Sequence, residues 1–181
     1  MHNGVVMKSL RPLIIVLVLV ALIVALFISL ASKQKMVTVI EGNLEKQPIP
    51  IVLNHFQDSD CGMVIDTIEY ASQVVAPDGK TWFFHDHGGM IKWLEQKSFK
   101  KDAIIWVYSL DTNRWIDAYK AYYTRNETTP MGYGFGAYEH PKEGRSSFET
   151  IRLLTLRGES MINPTIRQQL LKTKKESNGD H

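Results

Sequence analysis

From Pro12 to Ala31 the chain reads PLIIVLVLVALIVALFISLA, a run with no charge and with Ser29 as its single hydroxyl. An α-helix rises about 1.5 Å per residue, so about 20 apolar residues cover a hydrocarbon core of about 30 Å. Residues 1–31 are therefore read as a short tip followed by one transmembrane helix. Ser29-Leu30-Ala31 also suits a cleavage site, and a removed signal peptide is the alternative. Signal-peptide cores run about 7–15 residues, shorter than this one. Lys8 and Arg11 precede the run, and Lys33 and Lys35 follow it. The flank richer in Lys and Arg tends to stay cytoplasmic; with two on each side the bias is small, and the remainder is expected outside the cytoplasm. No cysteine lies near the end of the run, which excludes a lipid anchor on cysteine.

The rest of the chain is long enough for one domain with a proper core, or for two small subdomains. The net charge is +2, from 21 basic and 19 acidic residues, a balance that does not suggest nucleic acid as a partner. The chain has one cysteine, Cys61. In an oxidising compartment a lone thiol needs a reason. It is a metal ligand, a nucleophile, or a buried inert residue in a structural subunit of a membrane complex.

The patterning predicts an α+β class with short strands and few helices. Residues 32–57 read as a linker, with a short strand at Met36–Ile40. Ala71–Ala76 and Thr81–Phe84 form a hairpin around the turn Pro77-Asp78-Gly79-Lys80. Asp86 is placed to cap a helix whose face carries Met90, Trp93 and Leu94. Ala103–Tyr108 is a strand, and Trp115–Asp117 and Ala121–Tyr123 are shorter ones. Gly132–Tyr138 reads as a strand or extended loop, and Phe148–Leu156 as a helix. Asn163-Pro164 opens a last amphipathic helix, with Pro in its first turn. Residues 175–181 read as a disordered tail.

Three stretches carry chemistry. Cys61 and Met63 stand two apart, so they point the same way in an extended segment. Thiolate and thioether are soft donors that favour Cu(I), although on these residues alone a core Cys beside a core Met is the more ordinary reading. Met131 lies between Pro130 and Gly132, as a third soft ligand or as a gap filler in the core. His85 and His87 flank Asp86, a spacing that suits copper or zinc. Alternatively, Asp86 caps the helix and the two rings sit at its exposed N-terminus. A Cys61–His85 or Cys61–His87 pair would also serve a thiol enzyme. No Cys-X-X-Cys, Walker loop or dinucleotide fingerprint occurs.

In order, these pieces resemble the NosL family, the copper-binding accessory proteins of nitrous oxide reductase. The matching segments are DCGMVI at 60–65, Ala71-Ser72-Gln73, Trp82-Phe83-Phe84, Asp86 and Met90–Leu94. They continue with Trp106-Val107, Arg114–Ala118, Ala121–Tyr123, Thr129–Gly132, Phe135 and Ala137. The resemblance implies two ββαβ-type halves, spanning residues 58–111 and 112–174. It implies Cu(I) held by Cys61, Met63 and Met131, in a carrier and not a catalyst. The copper acceptor would be a copper enzyme such as nitrous oxide reductase, or an ABC-type transporter complex assisting its maturation. The location would be the inner membrane, single-pass, with the domain in the periplasm. Three features depart from the family. Its members are usually lipoproteins, His85 and His87 lie outside its pattern, and the match fades after Tyr138.

Overall fold

The computed structural model describes residues 3–32 and 36–179. Contacts divide the chain into two units, Met1–Met36 and Val37–His181. The first is a helix, α1 (Asn3–Ser32). Its 18-residue stretch Pro12–Ser29 has a mean hydropathy of 3.2 and buries none of its surface in the protein. At about 1.5 Å per residue that stretch is about 27 Å long, enough to cross a membrane.

The second unit is α+β, with antiparallel sheets. One sheet has the order β1-β3-β2-β4-β5, and a smaller one the order β7-β6-β8. The first sheet combines β1 (Val39–Ile40), β2 (Ser72–Val75), β3 (Thr81–Phe84), β4 (Ile104–Tyr108) and β5 (Trp115–Asp117). The predicted hairpin forms β2 and β3, with Gly79 at φ +83 in its turn. That left-handed conformation is one glycine adopts without strain. Helix α2 (His87–Glu95) joins β3 to β4, and Asp86 caps it as expected. The second sheet combines β6 (Tyr122–Thr124), β7 (Gly136–Tyr138) and β8 (Ser146–Ser147). Helices α3 (Phe148–Leu156) and α4 (Pro164–Gly179) come after it.

Alternation along the strands splits the first sheet into two buried faces. Val74, Phe84, Ile105 and Val107 face the main core with Met90, Trp93 and Leu94 of α2. Tyr123, Phe135, Ala137, Phe148 and Ile151 complete that core, so the two sheets share it. Phe83 points the other way and packs with Phe56, Ile65, Val37, Ile40, Ile49 and Ile51.

This second face corrects the expectation of a linker at 32–57: from Val37 onward the segment is part of the domain. β1 ties its start to β3, and beyond β1 side chains hold it where no strand forms. The Gln73 amide donates to Ile49 O at 2.7 Å and accepts from Ile49 N at 2.8 Å. Trp106 Nε1 donates to Lys46 O at 2.9 Å. Residues 33–35 of the expected linker lie outside the described residues.

The division at 111/112 also moves. β5 pairs with β4, so the first sheet runs on to Asp117. The order ββαβ is present in the first half as β2, β3, α2 and β4. In the second half the third strand comes before the helix, and no strand comes after α3 among the described residues. Ser147 ends β8 and caps α3 in one step, its hydroxyl accepting from Thr150 N. The disordered tail expected at 175–181 is helical as far as Gly179, because α4 runs through it. Residues 180–181 lie outside the described residues.

Candidate metal centre

Cys61 sits on a tight loop closed at its base by Asp58 N donating to Met63 O at 2.8 Å. Inside it, Gly62 N donates to Asp58 O at 2.9 Å, and Gly62 takes a φ of +75. Asp58 Oδ1 accepts from Asp60 N at 2.7 Å and from Cys61 N at 3.1 Å, the turn an Asp side chain makes with the backbone just ahead of it. Ser59 fastens the loop to β3, donating from its N–H to Phe83 O at 2.8 Å. The loop presents Cys61 to solvent, with Met63 47 % exposed.

The other oxygen of Asp58 holds His85, at the end of β3. Oδ2 accepts from His85 N at 2.9 Å and from His85 Nδ1 at 2.6 Å. With Nδ1–H committed to the carboxylate, the free lone pair of the neutral ring is on Nε2. Metal-ligating histidines are held in this way, the far ring N–H on a carboxylate fixing tautomer and direction. Asp58, Cys61 and His85 each have a ligand-type atom within 4.8 Å of the others'. Both oxygens of Asp58 already accept two N–H groups, so its role is to orient. Cys61 and His85 would be the donors to a metal held here. Burial opposes charge on both members of the pair, but the hydrogen bond between them prevails, raising His85 and lowering Asp58.

The Met131 turn meets this loop at the start of α2. Thr129–Gly132 is a β-turn closed by Gly132 N donating to Thr129 O at 3.0 Å, with Pro130 in second place. A Cβ on Gly89 would lie 3.1 Å from Met131 Sδ and 3.5 Å from Asp60 Oδ2. Met131 and the neighbour of Cys61 thus close on one glycine. A Cβ on Gly88 would lie 2.0 Å from Cγ of Tyr133. Two glycines are poor helix formers, each about 1 kcal/mol worse than Ala. They open α2 here because other loops occupy the space of their missing side chains. Met63, His85, Thr129 and Pro130 line one shallow cleft between the two loops.

Of the predicted residues, Met63 and His85 line this cleft, Met131 lines a second one with Thr129 and Pro130, and Cys61 lines a third beside Asp58 and Asp60 while lying close to His85. His87 does not join them. It is fully buried, its Nδ1 lies 2.8 Å from Ser72 Oγ, and its ring meets Tyr123 edge-on. The expectation of two rings on one side, or of both at an exposed helix end, is corrected. At the strand-to-helix junction the chain turns, and His87 enters the core. Asp58 was missed as a site residue; its signal was the run Asp-Ser-Asp before Cys-Gly, which reads as a turn built by an Asp side chain.

Burial pushes the Cys61 thiol up, and the charges of Asp58 and Asp60 add to this. Reactive thiols lie near cations and are depressed. Here the charges that act on the thiol, Asp58 and Asp60, are negative and oppose the thiolate. No family model matches the chain, and no curated protein is significantly similar to it.

Proposed function

We propose that the chain is a membrane-tethered Cu(I) carrier of NosL type. The observation that carries this reading is the convergence of the Cys61–Met63 loop and the Met131 turn on the first turn of α2, beside a carboxylate-held His85. One thiolate and two thioethers favour Cu(I) over Zn(II) or Mg(II), and an imidazole suits copper equally. Cys61 and Met63 are exposed, as an ion passed by ligand exchange requires. The thiol, raised by burial and acidic neighbours, favours a carrier over an enzyme with Cys61 as nucleophile. A periplasmic domain on the inner membrane follows from the NosL resemblance, since Lys8 and Arg11 before the helix are matched by Lys33 and Lys35 after it. Tethering would raise the carrier's effective concentration at a membrane-bound acceptor, a copper enzyme or an ABC-type transporter complex.

The test is an anaerobic Cu(I) titration of the full chain in detergent against a competing chelator. One tight equivalent is expected. Cys61→Ser should lower its affinity at least about a hundredfold, roughly 2.8 kcal/mol. Met131→Ala should weaken it less. A parent that binds Cu(I) no better than Cys61→Ser would overturn the reading.

A further inference from the structure

Asp86 is fully buried and divides its two oxygens between two elements. Oδ1 accepts from Gly88 N at 3.0 Å and caps α2. Oδ2 accepts from Thr129 Oγ1 at 2.6 Å and from Met131 N at 3.0 Å. Having donated to Asp86, the Thr129 hydroxyl accepts from Gly134 N at 3.1 Å, which closes the turn on its far side. The next residue back, His85, reaches the Cys61 loop through Asp58. Two adjacent residues therefore fasten the two sulfur-bearing loops to the same point of the fold. A helix cap needs one acceptor oxygen. The second oxygen of Asp86 is spent entirely on the Met131 turn.

We propose that Asp86 is a positioning residue that holds Met131 in place as a copper ligand, an assignment resting on the proposed Cu(I) carrier function. Asp86→Asn separates its two roles. The amide oxygen still caps Gly88 N, but an NH2 group then faces the N–H of Met131, two donors with no acceptor between them. The turn should come loose while the helix stays capped.

Two readouts test this on the full chain in detergent. In metal-free protein, peroxide converts Met to the sulfoxide at a rate set by exposure, read residue by residue by mass spectrometry. Asp86→Asn should speed oxidation of Met131 several-fold and leave Met90, buried in α2, unchanged. Thr129→Ser, which keeps the hydroxyl, should leave Met131 at the parent rate. An unchanged Met131, or Met131 and Met90 accelerating together, would overturn the proposal. In the Cu(I) titration, Asp86→Asn should weaken binding by about the factor seen for Met131→Ala. The double variant should be no weaker than Met131→Ala alone. A further loss in the double variant would show that Asp86 does not act through Met131. A parent without Cu(I) binding would remove the ligand role, while the oxidation rates would still report whether Asp86 holds the turn.

Discussion

His85 and His87 stand two residues apart where β3 passes into α2, and both are nearly or wholly inaccessible, at 3 % and 0 % exposure. Burial alone pushes either imidazole down. For His87 nothing among the described residues opposes it: its hydrogen-bond partner there is the neutral Ser72 hydroxyl, its Nε2 has none, and its pKa falls to about 3. For His85 burial is outweighed by the hydrogen bond and charge of Asp58, with Asp86 and Asp66 adding to it, and the pKa rises. Two rings of similar accessibility thus differ by a counter-charge and by depth, His85 lining a cleft while His87 lies in the core. The one with a carboxylate is oriented toward a surface cleft and suited to a metal. The one without is a neutral core residue linking the first sheet to Tyr123 of the second.

The largest expected consequence is on stability against pH in the metal-free protein. An unfolded histidine titrates near about 6.5, and folded His87 near about 3. Between those values the unfolded chain takes a proton that the folded one refuses. Its contribution is whole above pH ~6.5 and lost as the pH falls toward 3, by an amount on the order of a few kcal/mol. His85 has the opposite sign. Its folded pKa is raised, so its contribution is whole below pH ~6.5 and lost as the pH rises through the folded value. Asp58, lowered, supplies its share above ~3.8 and loses it as the pH falls through its folded value. Urea unfolding of parent, His87→Gln and His85→Gln at pH 7.5 and 4.5 checks this. Relative to the parent, His87→Gln should gain at pH 4.5 and His85→Gln should lose. Profiles parallel to the parent's would erase the distinction.

A smaller effect separates the two histidines at the proposed copper site. Asp58→Asn removes the charge that fixes the His85 tautomer, and such outer partners are worth about 10–100-fold in metal affinity. That range is expected for Cu(I), with His87→Gln at the parent's affinity. A loss in His87→Gln as large as that in Asp58→Asn would mean that the core ring is coupled to the site after all.

The difference between the two rings was not legible in the sequence, and the reason is physical. His-Asp-His has the two-residue period of a strand, which puts both rings on one face. The chain leaves the strand within that triplet, and the periodicity stops applying. Asp86 announced the helix but not its second bond, which reaches 45 positions along the chain to Met131. The hairpin at 71–84, the face of α2 and the start of α3 were legible because each rests on neighbours in sequence: Pro-Asp-Gly in the turn, Met90 and Leu94 one helical turn apart. The strand read at Met36–Ile40 formed as β1, but the stretch from Glu41 to Phe56 was not legible as part of the domain. Its isoleucines follow no period, and it is secured by long-range bonds: Asn43 N to Gly79 O, Trp106 Nε1 to Lys46 O, and two between Ile49 and the Gln73 side chain. Asp58 stood beside the Cys-Gly-Met motif in plain view, but its partner His85 lies 27 positions away. β8 has two serines and no apolar pattern to reveal it.

The smallest effect concerns Ser72, the His87 counterpart of Asp58. Its hydroxyl lies 2.8 Å from Nδ1 in a fully buried setting. Removing one partner of a buried hydrogen bond leaves the other unsatisfied, which costs about 1–3 kcal/mol. His87 already has one ring nitrogen without a partner, so Ser72→Ala would leave the whole imidazole unpaired in the core. Water could reach Nδ1 only by entering the space the hydroxyl vacates. Ser72→Ala should therefore lower stability by about 1 kcal/mol if that space hydrates, and more if it stays dry, read as a shift of the urea midpoint at neutral pH. Its affinity for Cu(I) should equal the parent's, because the hydroxyl touches neither sulfur-bearing loop. A variant as stable as the parent but weakened toward Cu(I) would reverse the roles drawn for the two histidines.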